Sequence, residues 1–322
     1  MSDILKHPWL EVPWKQLLQW KEKDRLPHAI LLKGRSGIGK HLLARQFSQW
    51  LHCEHPGGDS SCGQCVSCHQ FAAGSHPDFL EITPEEDKRV ISIDQVRQIG
   101  EFLSLSSVQQ KQRIVTIFPA DCMNVAAMNA LLKTLEEPPG NALLILVTNR
   151  PGYLAATVRS RCQMMTCPAP SPNQGIDWLK KNTDAEEDII HLAMQLVDQS
   201  PLQALQLLNA DHIKHCLSFM DDFSDFLQGK IDHVELARRY EKQDIKDLLY
   251  QFLLDILKIL SRESRIQDGT AMRIKTVIQS NVQQLQPEKV LRCVDKLKLG
   301  MTHASASLNP RLFLEDVLIE LV

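Results

Sequence analysis

Two apolar patterns alternate along the first half of the chain. Short runs read as buried strands at Ala29–Lys33, Phe79–Ile82, Arg113–Phe118, Ala142–Thr148 and Gln163–Cys167, with Ala142–Thr148 the most apolar. Between them the spacing lengthens to that of a helix: Leu42, Leu43, Phe47 and Trp50 within Lys40–Leu51, Val96, Ile99, Phe102 and Leu103 within Asp94–Leu105, and the run Met123–Glu137. The last of these stops at Pro138-Pro139, because a proline ring disfavours helix in the residue before it. Upstream, Trp9, Leu10, Val12, Trp14, Leu17, Leu18 and Trp20 predict an amphipathic packing helix starting near Pro13. Strands alternating with helices indicate a parallel sheet joined by right-handed crossovers.

The pattern changes at Pro168-Ala169-Pro170-Ser171-Pro172, which reads as a linker. Beyond it only helical spacing is found. Trp178–Lys181, Asp184–Gln199 and Pro201–Asn209 form three short helices, the third begun by Ser200-Pro201. Longer helices follow from Asp211. In Asp244–Arg262 one stripe carries Ile245, Leu248, Leu249, Phe252, Leu253, Ile256, Leu257 and Leu260. Asn309-Pro310 opens a last helix to Val322.

Composition adds little to the class but bounds the partners. The chain has 322 residues, 43% hydrophobic and 23% charged, as expected of a folded protein of two or three domains. A net charge of −3 excludes a polycation that binds nucleic acid by bulk charge, though not a local basic patch. No apolar run is long enough to span a bilayer and the N-terminus lacks a signal-peptide core, so a cytosolic location is expected. In a reducing compartment, clustered thiols among the nine cysteines favour metal over disulfide.

The chemistry-bearing stretch is GRSGIGKH after the first strand. Gly34, Gly39 and Lys40 match a phosphate-cradling loop, with Gly37 as an extra turn residue. The position that should offer a magnesium-binding hydroxyl is His41, whose nitrogens suit a hard cation poorly. The third strand runs into Phe118 and Pro119, where catalytic loops of this type have an Asp-Glu pair, and Asp121 comes too late for that geometry. Hydrolysis by this chain is therefore not expected. The loop is either an empty remnant kept for the fold, the favoured reading, or a site that binds ATP without turnover.

Cys53-x8-Cys62-x2-Cys65-x2-Cys68 has the spacing of a closed, structural zinc site. His52, His55 and His69 are adjacent, but four thiolates already complete a tetrahedron. The segment has no Lys or Arg, which counts against a zinc-dependent nucleic-acid module. The other cysteines, Cys122, Cys162, Cys167, Cys216 and Cys293, are dispersed and read as small apolar residues. Arg161, in Ser160-Arg161-Cys162 ahead of the fifth strand, is either a salt-bridged surface residue or a guanidinium offered to a neighbouring subunit.

Together, GRSGIGKH, the four cysteines, SHPDF (Ser75–Phe79), NALLKTLEEPP (Asn129–Pro139) and SRC resemble the delta-prime branch of the bacterial DNA polymerase III clamp-loader family over nearly the whole chain. NALLKTLEEPP and SRC are shared with the ATP-hydrolysing gamma/tau branch; the missing acidic pair separates this sequence from it. So does Leu202, which stands where those ATPases have a lid-helix arginine. The resemblance implies a RecA-like AAA+ domain at residues 1–167 with a zinc module at 53–68, a helical lid at 168–209, and a helical collar for pentamer assembly at 210–322. It implies a non-hydrolysing subunit, partnered with gamma/tau and delta, that helps load the β sliding clamp onto primed DNA. Arg161 would act as an arginine finger in a gamma/tau ATP site. The alternative is a gamma/tau-like ATPase using Lys40 with displaced acids such as Asp121, Glu136 or Glu137.

Overall fold

The computed structural model describes residues 7–86, 88–105, 112–197, 199–209, 212–241, 245–260, 285–302 and 309–321. Contacts divide the chain into two compact units, Met1–Trp178 with Ser200–Leu202, and Leu179–Gln199 with Gln203–Val322.

The first unit is built on a five-stranded sheet of β1 (Ala29–Lys33), β2 (Phe79–Ile82), β3 (Arg113–Ile117), β4 (Ala142–Thr148) and β5 (Gln163–Thr166). All pairs are parallel and the order is β2-β3-β4-β1-β5. Every residue of β3 and β4 is buried, as a strand covered on both faces requires, whereas edge strand β5 is mostly exposed. The helices are α1 (Glu11–Glu22), α2 (Lys40–His52), α3 (Val66–Ala72), α4 (Ile93–Ser104), α5 (Val125–Glu136) and α6 (Ala156–Arg159). A core of Leu31, Val115, Leu144 and Leu146 from the sheet packs on Ile99 and Leu103 of α4 and Leu131 and Leu135 of α5.

Local chemistry sets the helix starts. Ser92 and Gln95 form a reciprocal capping box before α4, and the Asn124 side chain accepts from the Ala127 N–H at 2.7 Å before α5. The first helix begins at Glu11, two residues before Pro13, after a 3-10 turn at Pro8–Leu10.

Beyond β5 the described residues hold only helices: α7 (Pro172–Lys180), α8 (Glu187–Leu196), α9 (Pro201–Asn209), α10 (His212–Leu227), α11 (His233–Tyr240), α12 (Lys246–Leu260), α13 (Pro287–Thr302) and α14 (Pro310–Leu318). The α/β-plus-all-α class is as expected. One local expectation needs correction: Pro172 opens α7 instead of closing a linker, because proline is well tolerated in a helix's first turn. α9 matches its expected bounds, and Asn309 caps α14 by accepting from Arg311 N–H at 3.0 Å. Asp211, Asp244, Arg262 and Val322 lie outside the described residues. In the second unit, Phe219 and Phe223 of α10 pack against Phe252 of α12, and Tyr240 donates to Asp222 at 2.8 Å. Ile245, Leu249, Phe252, Leu253 and Ile256 of the α12 stripe are buried.

Candidate nucleotide loop and metal centre

The phosphate-type loop leaves the carboxyl end of β1, which lies beside β4 with Lys33 level with Thr148. Residues following the two strands therefore meet at one end of the sheet, where ligands of open α/β sheets usually bind. Gly34 has to be glycine: a Cβ there would lie 2.5 Å from the Cys167 carbonyl at the end of β5. Gly37 and Gly39 both take positive φ, 67° and 89°.

Protein groups engage the loop on three sides. Lys40 is 3% exposed; its ammonium donates to Asn149 Oδ1 at 2.8 Å and to the Arg35 carbonyl. Burial pushes its pKa down to about 8. His41 stacks on Phe118, ring centroids 4.6 Å apart and planes nearly parallel, and its Nε2 meets Glu81 Oε1 at 2.6 Å. That hydrogen bond, with Arg45 at 3.6 Å, holds the Glu81 carboxyl below its usual range. The corner where a magnesium-handling hydroxyl and acidic pair would stand thus holds an imidazole, a phenyl ring and a paired carboxylate. On the third side, the Ser200 hydroxyl donates to the Ser36 carbonyl at 2.5 Å and Leu202 N–H to the Gly37 carbonyl at 3.3 Å. The Leu202 side chain lies 3.3 Å from where a Cβ on Gly39 would be, and Leu10 at 3.1 Å. Trp9 Nε1 donates to the Ile38 carbonyl at 2.8 Å.

Two of the displaced acids, Asp121 and Glu136, are also committed. Asp121 accepts from Thr148 Oγ1 at 2.8 Å, Asn149 N–H at 3.1 Å and Arg150 Nε at 3.0 Å. Burial works against its ionisation, but these donors outweigh it and keep its pKa below the usual value. Arg150 in turn lies over the Tyr153 ring. Glu136 pairs with Arg161 Nη2 at 2.5 Å, and Arg161 Nη1 donates to the Thr157 carbonyl at 2.9 Å. Arg161 precedes β5, whereas Lys40 follows the end of β1. The two are thus at opposite ends of neighbouring parallel strands, separated by roughly 13–16 Å of strand at about 3.3 Å per residue.

The four cysteines do come together, with all Sγ atoms within 4.8 Å of one another and Cys62 Sγ 3.9 Å from Cys68 Sγ. A zinc tetrahedron with Zn–S bonds of about 2.3 Å has S···S edges of about 3.8 Å, so the set fits that ion. Backbone N–H groups point at the sulfurs: Cys62 to Cys53, Cys65 to Cys62 and Cys68 to Cys65, at 3.2–3.4 Å. Donors from Gln64 and Cys65 pull the Cys62 thiol down to about 6, while burial pushes Cys53 and Cys68 up, a cost that a bound cation offsets. Among the described residues no histidine joins the cluster. Trp14 and Trp50 fasten the module's loop by donating to the Asp59 and Gly58 carbonyls. Behind it, the SHPDF motif buries His76 and Asp78: His76 meets Ser67 Oγ at 3.0 Å, and Asp78 faces Arg113 at 3.6 Å.

Sequence reasoning did not single out Glu81, Asn149 or Ser200 as loop partners. The signal for Glu81 was an acid within the otherwise apolar FLEI. For Asn149 it was a side-chain amide directly after the most buried strand.

Comparison with known proteins follows the same outline. Residues 10–171 match the family model described as DNA polymerase III, delta subunit. The DNA polymerase III subunit delta′ of Pseudomonas aeruginosa is 31% identical over 326 residues, covering 99% of this chain and 98% of that protein. The Haemophilus influenzae subunit delta′ is 34% identical over 255 residues, 78% of this chain and 77% of its own. A DNA polymerase III gamma-subunit-related protein of Thermotoga maritima shares the fold, with a TM-score of 0.51 at 21% identity over 94% of this chain and 97% of its own. This chain belongs to the DNA polymerase III delta′ subunit family.

Proposed function

We propose that this chain is a non-hydrolysing subunit of a DNA polymerase III clamp loader. In this reading it assembles with gamma/tau and delta subunits into a hetero-pentamer in the cytoplasm and helps load the β sliding clamp onto primed DNA. Residues 1–167 form the AAA+ domain, 168–209 the lid and 210–322 the collar. Zinc on Cys53, Cys62, Cys65 and Cys68 is structural and holds the module against α2; it supplies no reactive water, since four thiolates leave no open position.

The observation that carries this reading is the state of the phosphate loop. Lys40 is bonded to Asn149 and Arg35, His41 to Glu81 and Phe118, and Asp121 is used by Thr148, Asn149 and Arg150. Among the described residues, these groups already have protein partners, which leaves them poorly placed to hold magnesium or orient water. Arg161, at the opposite end of the strands, cannot serve this chain's own loop. We assign it to the ATP site of an adjacent gamma/tau subunit, released from Glu136 when the neighbour docks. A guanidinium supplied in trans is worth on the order of a thousandfold or more at the site it serves.

The test uses the complex reconstituted with gamma/tau and delta. Arg161→Ala should leave assembly intact and remove the ATP turnover of the one adjoining site, lowering the pooled rate by that site's share. Unchanged turnover would refute the role. The retained Lys40 keeps the gamma/tau-like ATPase as a second reading; steady ATP consumption by the pure chain, abolished in Lys40→Ala, would establish it instead.

A further inference from the structure

The first helix carries a surface feature that neither site uses. α1 buries Pro13, Trp14, Leu17 and Leu18 and turns its opposite face outward. That face borders an open groove of about 640 Å³, lined by Val12, Lys15, Gln19, Trp20, Lys23 and Arg25 among others, with no carboxylate among the described residues that line it. The helix end shapes it. Asp24 takes a positive φ of 51° and Arg25 N–H donates back to the Trp20 carbonyl at 2.8 Å, so the chain returns Arg25 to the side of Trp20.

The side chains here are unspent. Trp9, Trp14 and Trp50 each donate the indole N–H to a backbone carbonyl, whereas that of half-buried Trp20 has no acceptor among the described residues. Lys23 and Arg25 are exposed and have no ion-pair partner among those residues. Lys15 differs: it is paired with Glu11 at 2.6 Å and lies in the field of Asp59.

We propose that this groove binds single-stranded nucleic acid, one base stacking on Trp20 and the flanking phosphates meeting Lys23 and Arg25. An aromatic face beside cations is the chemistry of sequence-tolerant single-strand sites. Eight residues of helix separate Lys15 from Lys23, about 12 Å along the axis, the length of roughly three stacked nucleotides at about 3.4 Å each. An acidic peptide would satisfy the cations but brings no planar partner for the indole. Because the whole chain is acidic by three charges, the attraction is local, and binding is weak and salt-sensitive.

The experiment titrates the full zinc-loaded chain into a short fluorescent oligodeoxythymidylate and reads anisotropy at about 50 and 200 mM salt. It needs no other subunit, so its outcome is separate from that of Arg161. The wild-type chain should bind saturably and more weakly at higher salt. Trp20→Ala should weaken binding roughly tenfold and Trp20→Phe less, since a phenyl ring still stacks. Joint Lys23→Ala and Arg25→Ala should lower the slope of log affinity against log salt by about 1.4, and Lys15→Ala should do less because its charge is already paired. The Lys15, Lys23 and Arg25 changes are at exposed positions and should leave the melting curve in place, and comparison of Trp20→Phe with Trp20→Ala separates stacking from lost packing. Absence of saturable binding, or binding that all the variants share, overturns the proposal. So does equal affinity for a polyglutamate peptide with no effect of Trp20→Ala, which would give the groove to an acidic protein.

Discussion

Lys40 is the residue at which the loop's shape and its chemistry part company. In a working cradle the ammonium faces phosphate; here it is buried against an amide and a carbonyl, and its pKa falls from 10.5 to about 8. The sign of the effect on stability follows. Below about pH 8 the lysine is charged folded and unfolded, and the full burial cost stands. Between about 8 and 10.5 the unfolded chain binds more protons than the folded one, so stability rises with pH. Above that range both states are neutral. Wild type should therefore gain on Lys40→Met by up to roughly 3 kcal/mol across this window, seen as converging or crossing melting temperatures in paired scans from neutral to alkaline pH. Parallel curves would mean that Lys40 is solvated and the loop open. None of this was legible in GRSGIGKH. The motif gave the glycines and the lysine, but Asn149 is 109 residues away and its contact depends on β1 lying beside β4.

At the scale of elements, legibility tracked burial. β4 and α5 declared themselves because fully apolar runs and helical stripes are local patterns, and the cysteine spacing is equally local. The start of α7 was missed since three prolines in five residues look like a linker until a packed helix shows that the last of them fills a first turn. The His41–Glu81 pair spans 40 residues and two elements, so no window along the chain contains it. Two elements carry predictions. Chelating the metal should raise amide exchange across the cysteine segment and α3 while β3 and β4 stay protected, because the module's few apolar contacts cannot replace a bound ion; metal analysis should count one zinc per chain, lost in Cys65→Ser. Gly34→Ala should lower the melting temperature of the sheet unit, since the new methyl meets a backbone oxygen at 2.5 Å that cannot rotate away. Overpacking of this kind costs about 1–3 kcal/mol.

For the whole molecule, the sheet places the phosphate-type loop and Arg161 at opposite ends of its strands. The carboxyl end holds a loop whose polar groups are turned inward; the amino end holds Arg161, partly exposed, bonded to the Thr157 carbonyl and ion-paired with the half-exposed Glu136 carboxylate. A polar pair that accessible is worth little to stability, on the order of 1 kcal/mol at most, so a docking partner can exchange Glu136 for its own anion at small cost. Motifs name relatives, and the resemblance alone suggested a role for Arg161; the end of the strands at which it sits bears on which nucleotide site it could reach. The Arg161→Ala effect should accordingly appear only in the assembled complex and be absent from the chain alone, where there is no neighbouring nucleotide for it to act on.

The bracing of the loop by Trp9 and Leu10 on one flank and Ser200 and Leu202 on the other has a mechanical consequence. Segments some 190 residues apart are tied through a six-residue bend that would elsewhere flex with each round of fuel. Under the function proposed above, a hinge clamped in this way would let the sheet unit serve as an anchor against which moving neighbours push.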